Sequence, residues 1–596
     1  MHLFRPKIRE PVRKAGNGLI IRNMRMRKLI YSFLMAVAAT AVLYSQEQGT
    51  IKREVTLYNP YKPSIPDAVK KSSLPDLTDT TRVRPSFSYD VNIYPYMPSF
   101  TISPIKPATM VPDLLPKLYK SYINAGIGNF FTPLAEISIS NERSKKQSVG
   151  IYASHFSTNS KVQLQNMKKG YAGYADNDLM LYGNKFMKKH VLGGVIDFSH
   201  RSRFAYGYDT VHTAYDPSKK SIRSDFYNAG AAISLKTLDT DSSKLSYSSA
   251  LRYDLFLAGN SLFQHSFGLS GSAEKNIKEF YAGTGFEITG YSPSDSVASD
   301  GKYYVALSPH IEKRKNEWHV RLGLEAVLDK NYGEDPVLKV YPDLKFGFNI
   351  IPDYLKFFAE LGGRMERNEP MKMLGINPFI YPADAGIFKL PNTSYSLAVK
   401  AGLGGESGLG YVYRIYGSYS IADDFLLFTN YNLSNGASTL SHGNYFLPLA
   451  DQAEILNIHA ETGGSITGKL SYEASGGYWK YTLAESDEPW GLPAWDANLK
   501  LKYNLRDKIL ANAGLSIGGK RKELITYEDI DPLGSDFTKS IELPAKMFIN
   551  LGAEYRFTNI LSFWTRFDNI SFTKQYERAF YPTRRFLFLA GFTYSL

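Results

Sequence analysis

The sequence contains no cysteine and only 10 histidines and 5 tryptophans among its 596 residues. The missing thiols exclude a disulfide framework, a thiolate metal site and a lipid-modified cysteine at the N-terminus. No His-Glu-x-x-His spacing is present, so there is no zinc signature, and neither a Gly-x-Ser-x-Gly elbow nor a phosphate-binding glycine loop occurs. Gly402-Leu403-Gly404-Gly405 is better explained as turn chemistry. Long hydrophobic runs are also lacking, and the mean hydropathy of −0.27 argues against a polytopic helical membrane protein. The one sustained apolar stretch, Leu29 to Leu43, follows Arg25, Arg27 and Lys28 and precedes small or polar residues around Ser45. It is too short for a spanning helix and matches a secretory signal peptide, so residues 1–45 are expected to be an export signal with Met24 or Met26 as alternative starts.

The formal net charge of +13 invites a nucleic-acid partner, but nine Lys/Arg against one Glu precede Leu29. About +5 is left on the remaining chain, spread too thinly for that function. Residues 46–117 are a different material: eleven of the 30 prolines fall between Pro60 and Pro116. Proline at this density blocks both helix and ladder, which predicts an extended periplasmic segment. Its aromatics Phe87, Tyr89, Tyr94, Tyr96 and Phe100 suit packing in a barrel mouth or docking on a periplasmic or surface protein partner, and a disordered tail is the plain alternative.

From residue 118 to 596 the apolar residues recur with period two. Trp318, Val320, Leu322, Leu324, Ala326 and Leu328 oppose His319, Arg321, Gly323 and Glu325; Trp495 to Leu505 and Met547 to Phe557 repeat the pattern. The polar faces carry full charges such as Lys500, Glu554 and Arg556. A packed sandwich core could not hold these on its inner faces, whereas a wet lumen can, with the apolar faces turned to lipid. At the C-terminus Phe586, Phe588, Ala590, Phe592, Tyr594 and Leu596 leave a greasy face that no later segment covers.

Connection lengths alternate as well. Short turns are predicted at Asn141 to Gln147, Met187 to His190, Leu238 to Lys244, Lys275 to Glu279, Arg314 to Glu317, Pro352-Asp353, Gly404 to Gly408, Gly464 to Lys469, Arg506 to Lys508 and Thr558-Asn559. Long connections fall between them at Tyr206 to Ser221, Tyr291 to Gly301, Lys330 to Val337, Glu366 to Ser394, Asn430 to Asn444, Glu485 to Pro493 and Lys522 to Lys539. Ten turns join twenty strands, and one more at each end gives an all-β, antiparallel transmembrane barrel of about 22 strands, within a range of 18–22. For this topology the long connections face the cell exterior, and outer-membrane lipid surrounds the wall.

The ending Asn569-Ile570, Tyr576-Glu577, Tyr581-Pro582-Thr583-Arg584-Arg585-Phe586, closing on Gly591 to Leu596, resembles the last hairpin of TonB-dependent outer-membrane receptors. Tyr341-Pro342-Asp343-Leu344, Ala359-Glu360-Leu361-Gly362 and Leu390-Pro391-Asn392 are similar to the middle of those barrels. The resemblance covers residues 118–596 and implies nutrient transport or uptake across the outer membrane. It departs at residues 46–117, which are too few and too proline-rich for that family's globular plug, and Glu54 to Tyr58 is only a passing likeness to its energy-coupling box. A passive porin or an assembly platform for another envelope protein are the alternatives.

No residue is assigned as catalytic, cofactor-binding or metal-binding, no cofactor is implied, and the ligand residues are unknown. Asp529, Asp531, Gly534 and Asp536 have calcium-like spacing but lack the closing bidentate glutamate, so they fit a solvated acidic loop. Tyr206, Tyr208 and Asp209, and Asp487, Glu488 and Trp490, could stack on a sugar or peptide, and loop packing explains them equally well. A serine and histidine placed together on a barrel wall would leave no spacing signature; nothing in the sequence points to one, and the chain reads as a non-enzyme.

Overall fold

The computed structural model describes residues 119–596, apart from 142–143, 166, 209, 211–216, 239–243, 260–261, 383, 408–409, 434–441, 529–536 and 572. The proposed signal peptide, the proline-rich segment and the Asp529–Asp536 loop therefore lie outside the described residues.

Twenty-two strands make a closed wall. In chain order they are β1 (Ser121–Gly128), β2 (Thr132–Ser140), β3 (Gln147–Thr158), β4 (Tyr174–Phe186), β5 (His190–Phe204), β6 (Arg223–Thr237), β7 (Ser246–Ala258), β8 (Phe263–Ile277), β9 (Phe280–Pro293), β10 (Lys302–Arg314) and β11 (Trp318–Lys330). The second half is β12 (Val337–Ile351), β13 (Leu355–Glu366), β14 (Thr393–Glu406), β15 (Val412–Leu433), β16 (His442–Thr467), β17 (Leu470–Leu483), β18 (Trp495–Leu505), β19 (Ile509–Gly518), β20 (Lys546–Arg556), β21 (Leu561–Ile570) and β22 (Leu587–Ser595). Each strand pairs antiparallel with its sequence neighbours, and β22 pairs with β1 from Tyr122↔Ser595 to Gly128↔Leu589. Closure leaves no unpaired wall edge, the condition for crossing lipid with strands.

The ten predicted turns all fall where a short connection occurs, because a turn is written in local residues. In the three-residue turn between Leu505 and Ile509, Arg506 and Asp507 take left-handed conformations with φ of 54° and 55°. Outward positions are apolar and open: Ile196, Ile233, Leu251, Leu322 and Val340 are each 54–61% exposed. That is the pattern of a wall wetted by acyl chains. Inward positions carry charge, paired between nearby strands: Arg201 with Asp178 at 2.6 Å, Arg321 with Asp343 at 2.8 Å and Lys400 with Glu360 at 3.0 Å on neighbouring strands, and Arg252 with Asp197 at 3.0 Å across β6. In a wet lumen such pairs satisfy each other without a large desolvation cost.

Two long connections differ from the sequence expectation. Asn430 to Asn444 is not a loop throughout, since β15 and β16 run on to Leu433 and from His442 and stay paired beyond the wall. Lys522 to Lys539 contains strands, a hairpin of Arg521–Glu528 with Phe537–Leu543 inserted between β19 and β20. The hairpin pairs parallel with the far end of β15, Asn430↔Ile525 through Leu433↔Glu528. Edge pairing explains both departures, because each segment supplies the ladder partner the other would lack.

At the closing seam Gly126 faces Gly591, and Trp564 lies over the pair with its indole N–H donating to Asn124 Oδ1 at 2.7 Å. A Cβ on Gly591 would collide with the Ala125 carbonyl and the Trp564 ring. Gly591→Val is therefore expected to abolish the heat-modifiable band of the folded barrel on a gel, and an unchanged band would show that the seam tolerates bulk.

Candidate functional site

With strands about 4.8 Å apart and tilted by about 40°, a 22-strand ring is roughly 40 Å across. Connections from distant parts of that ring nevertheless meet. The connection between β13 and β14 contains a short helix, Pro370–Ile376, and a π-helical turn, Asp384–Phe388. Pro370 suits the first helical position, where its missing N–H is not needed. Beyond the helix, the Phe379 ring stacks on Tyr581 of the β21–β22 connection with centroids 3.7 Å apart. Tyr206, from the β5–β6 connection, packs edge-on against both rings and donates its hydroxyl to the Pro582 carbonyl at 3.0 Å. Burial pushes the Tyr206 phenol pKa up, so it stays a donor. Phe446 of β16 exchanges backbone hydrogen bonds with this segment, accepting from Tyr381 and donating to Phe379, both at 2.9 Å.

One buried apolar cluster thus takes Leu164, Tyr206, Phe226, Val297, Ile380, Ile387, Phe446 and Tyr581 from around the whole ring. A dry core has formed at the long-connection end of a wet barrel. It spans the mouth, because only segments reaching inward toward the axis can bring Phe379 onto Tyr581 from strands about eight apart.

Both ends of the β13–β14 connection are pinned to the wall. Arg367 pairs with Glu287 at 2.7 Å and donates to Thr289 Oγ1 at 2.8 Å. At the other end Lys302, buried, donates to the Leu390 carbonyl and to Asn392 Oδ1, both at 2.9 Å, and Asn392 donates in turn to Asp329 at 2.7 Å. Asn368 joins the two ends by donating to the Pro391 carbonyl at 2.7 Å. Arg521, Glu523 and Arg578 form a second buried tie. Glu523 Oε1 lies 3.5 Å from Arg578 and 3.9 Å from Arg521, and its other oxygen accepts the Ala579 N–H. Arg578 also donates to the Ile376 carbonyl at 3.4 Å and lies over the Phe428 and Phe446 rings.

Against the inner wall, beside the pinned start of this connection, is a polar cavity of about 430 Å³. Asn228, Arg252, Asp254, Gln264, Thr289 and Arg367 line it. Its guanidiniums are already committed to carboxylates, Arg252 to Asp197 and Asp254, and Arg367 to Glu287. What it offers a ligand is therefore a set of neutral donors and acceptors against fixed charge pairs. Among the described residues there is no group of three or more His, Asp or Glu able to hold a metal ion.

Of the loop aromatics singled out from sequence, Tyr206 and Tyr208 belong to the cap. Tyr206, Tyr208 and Trp490 are buried, which removes the open faces that sugar stacking needs. Asp487 and Glu488 are not stacked beside an open ring, and Glu488 is engaged with Lys522. Phe379, Arg367, Lys302 and Arg578 were not legible as functional, since their partners are distant in sequence.

No family model and no curated protein matches the sequence. Solved structures do match the fold. A mutant of the ferric enterobactin receptor of Pseudomonas aeruginosa aligns over 80% of each chain with 12% identity and a TM-score of 0.57. The FrpB iron transporter of Neisseria meningitidis aligns over 81% of this chain and 83% of its own, with 9% identity and a TM-score of 0.60. The siderophore receptor PirA of Acinetobacter baumannii aligns over 81% of both, at 11% identity and a TM-score of 0.59. At such identities the likeness is one of architecture, and it agrees with the strand count: the chain is a 22-strand antiparallel β-barrel with the fold of TonB-dependent outer-membrane receptors.

Proposed function

We propose that the protein is an outer-membrane transport barrel whose outer mouth is gated by its own connections and whose lumen takes a small polar solute. The observation that carries this reading is the dry cap over a charged lumen. A passive porin needs an open mouth, whereas here Phe379, Tyr581, Tyr206 and Phe446, drawn from four separate parts of the ring, pack into one buried cluster. The wall beneath supplies a polar cavity beside the base of the connection that carries Phe379. Ligand contacts there would be transmitted to the cap through Arg367, which touches the cavity and anchors the connection. The receptor-like fold supports transport over an assembly platform.

Residues 46–117 have a proposed part as well. The chain enters the wall at Ser121, at the short-connection end. We propose that residues 46–117 either occlude the lumen or dock on a periplasmic partner. Deleting Thr50 to Pro112 is expected to raise planar-bilayer conductance if it occludes, with the barrel still inserting. Unchanged conductance with loss of a co-purifying protein would assign docking instead.

A further inference from the structure

On the outer face of β3 to β6 the apolar stripe stops at one row. Moving toward the long-connection end, Val149, Ile151 and Ala153 on β3 give way to His155 and Ser157. On the same face Leu181 and Leu179 on β4 give way to Asn177, Ile196 and Phe198 on β5 to His200, and Ala231 and Ala229 on β6 to Tyr227 and Asp225. The register His155↔Asn177, Asn177↔His200 and His200↔Tyr227 sets these side chains in a line across four strands.

The line is hydrogen-bonded end to end. Ser157 Oγ is 3.0 Å from His155 Nε2, and His155 Nδ1 is 2.6 Å from Asn177 Oδ1. Asn177 Nδ2 is 2.9 Å from His200 Nδ1, and His200 Nε2 is 3.0 Å from Asp225 Oδ1. Tyr227 stacks on the His200 ring with centroids 4.7 Å apart, and Arg223 holds Asp225 at 2.8 Å.

This arrangement assigns the protons. Asp225 accepts, so His200 carries its proton on Nε2 and presents the lone pair of Nδ1. That lone pair takes the Asn177 amide N–H, which turns the Asn177 oxygen toward His155. His155 must then carry its proton on Nδ1, leaving the lone pair of Nε2 to accept the Ser157 hydroxyl. A hydroxyl on a histidine base, with a third group fixing the histidine's tautomer, is the arrangement that activates serine for acyl transfer, and it is recognised by geometry whatever the fold. A polar residue at the margin of an apolar belt needs only water. Here five side chains satisfy one another in sequence, and the line ends on the half-buried Ser157 hydroxyl.

We propose that Ser157 and His155 form a hydrolytic site for the acyl esters of glycerophospholipids, with Asn177 as the positioning residue. The substrate class follows from the location. Directly toward the apolar belt lie Ile137, Leu179 and Phe198, each 39–42% exposed on the outer face. An acyl chain laid along them brings its ester carbonyl to the level of Ser157. Ser157 Oγ attacks the carbonyl carbon while His155 Nε2 takes the hydroxyl proton; the ester C–O bond breaks and His155 returns that proton to the departing lysolipid alkoxide. Water then attacks the acyl-Ser157 carbon, His155 takes and returns its proton in the same way, and a fatty acid leaves with the Ser157 hydroxyl restored. The lumen takes no part, so this activity and the transport reading stand or fall separately.

The test uses the full chain purified in detergent, with phosphatidylethanolamine in mixed micelles and an alkyl fluorophosphonate as covalent probe. Fatty-acid release is expected together with probe on the peptide containing Ser157. Ser157→Ala and His155→Ala should each lower release by about a thousand-fold or to background, with the heat-modifiable band retained as proof of folding. Asn177→Ala should lose about ten- to a hundred-fold. Asn177→Asp should recover most of that, since a carboxylate also accepts the His155 Nδ1 proton and holds the same tautomer. Folded wild-type protein that releases no fatty acid and takes no probe overturns the proposal, as does release that survives Ser157→Ala.

Discussion

Replacing residues 371–389 with a short Gly/Ser linker is expected to turn a closed barrel into a conducting one, raising planar-bilayer conductance at least about ten-fold. The pinned ends make the deletion feasible, because the Asn368 bond to Pro391 already brings the two ends of the connection together. The effect should be large because this connection supplies Met373, Leu374, Phe379, Ile380, Ile387, Phe388 and Leu390 to the buried cluster across the mouth. Truncating Phe379 alone to Ala removes about 3–5 kcal/mol of packing. It leaves the backbone bonds to Phe446 in place, so it should produce brief openings and not a steady pore. The same deletion should sensitise cells to large antibiotics. A folded deletion variant that stays silent would locate the barrier elsewhere, with residues 46–117 the next segment to remove.

Arg578→Ala is expected to free the cap without removing any of its hydrophobic residues. Arg578 is the counter-charge of Glu523, a donor to Ile376 and the cation over Phe428 and Phe446. Its loss leaves the fully buried Glu523 facing Arg521 alone, and breaking a buried ion pair by removing one partner costs about 3–5 kcal/mol. Hydrogen exchange in residues 367–392 should accelerate by about a hundred-fold or more, with the wall strands unchanged. Arg578→Lys should rescue little, since a single ammonium cannot serve the carboxylate and the carbonyl together. Burial also raises the Glu523 pKa, outweighing Arg578, the Ala579 N–H and Arg521. For an acid raised in the folded state, the unfolded form loses its proton first as pH rises. The contribution of Glu523 is therefore fully present below the ordinary carboxylate pKa and is lost as pH climbs through the raised value, so the tie holds best in acid. Glu523→Gln should flatten that dependence; equal protection factors, corrected for the base-catalysed intrinsic rate, at pH 4 and pH 8 in the unaltered protein would refute the assignment.

What the sequence determined by itself is the wall. Alternation in Trp318 to Leu328 and Met547 to Phe557 is a property of neighbouring residues, and lipid on one side with water on the other leaves a strand one way to face. The ten short turns are equally local, so strand number and direction followed without any knowledge of partners. The loop aromatics Tyr206, Tyr208 and Trp490 were visible as chemistry but not as architecture, because packing and ligand stacking call for the same rings. Only the tertiary structure decided what closes the mouth and what lies on the rim. Phe379 meets Tyr581 across a span of 202 residues, and Arg578 meets Glu523 where two connections converge. Ser157 and His155 are adjacent in any register, but Asn177, His200 and Asp225 align with them only once β3 to β6 pair. The first two contacts bring together connections far apart on the ring and the third needs the register of four strands, long-range conditions that no short window of the sequence contains.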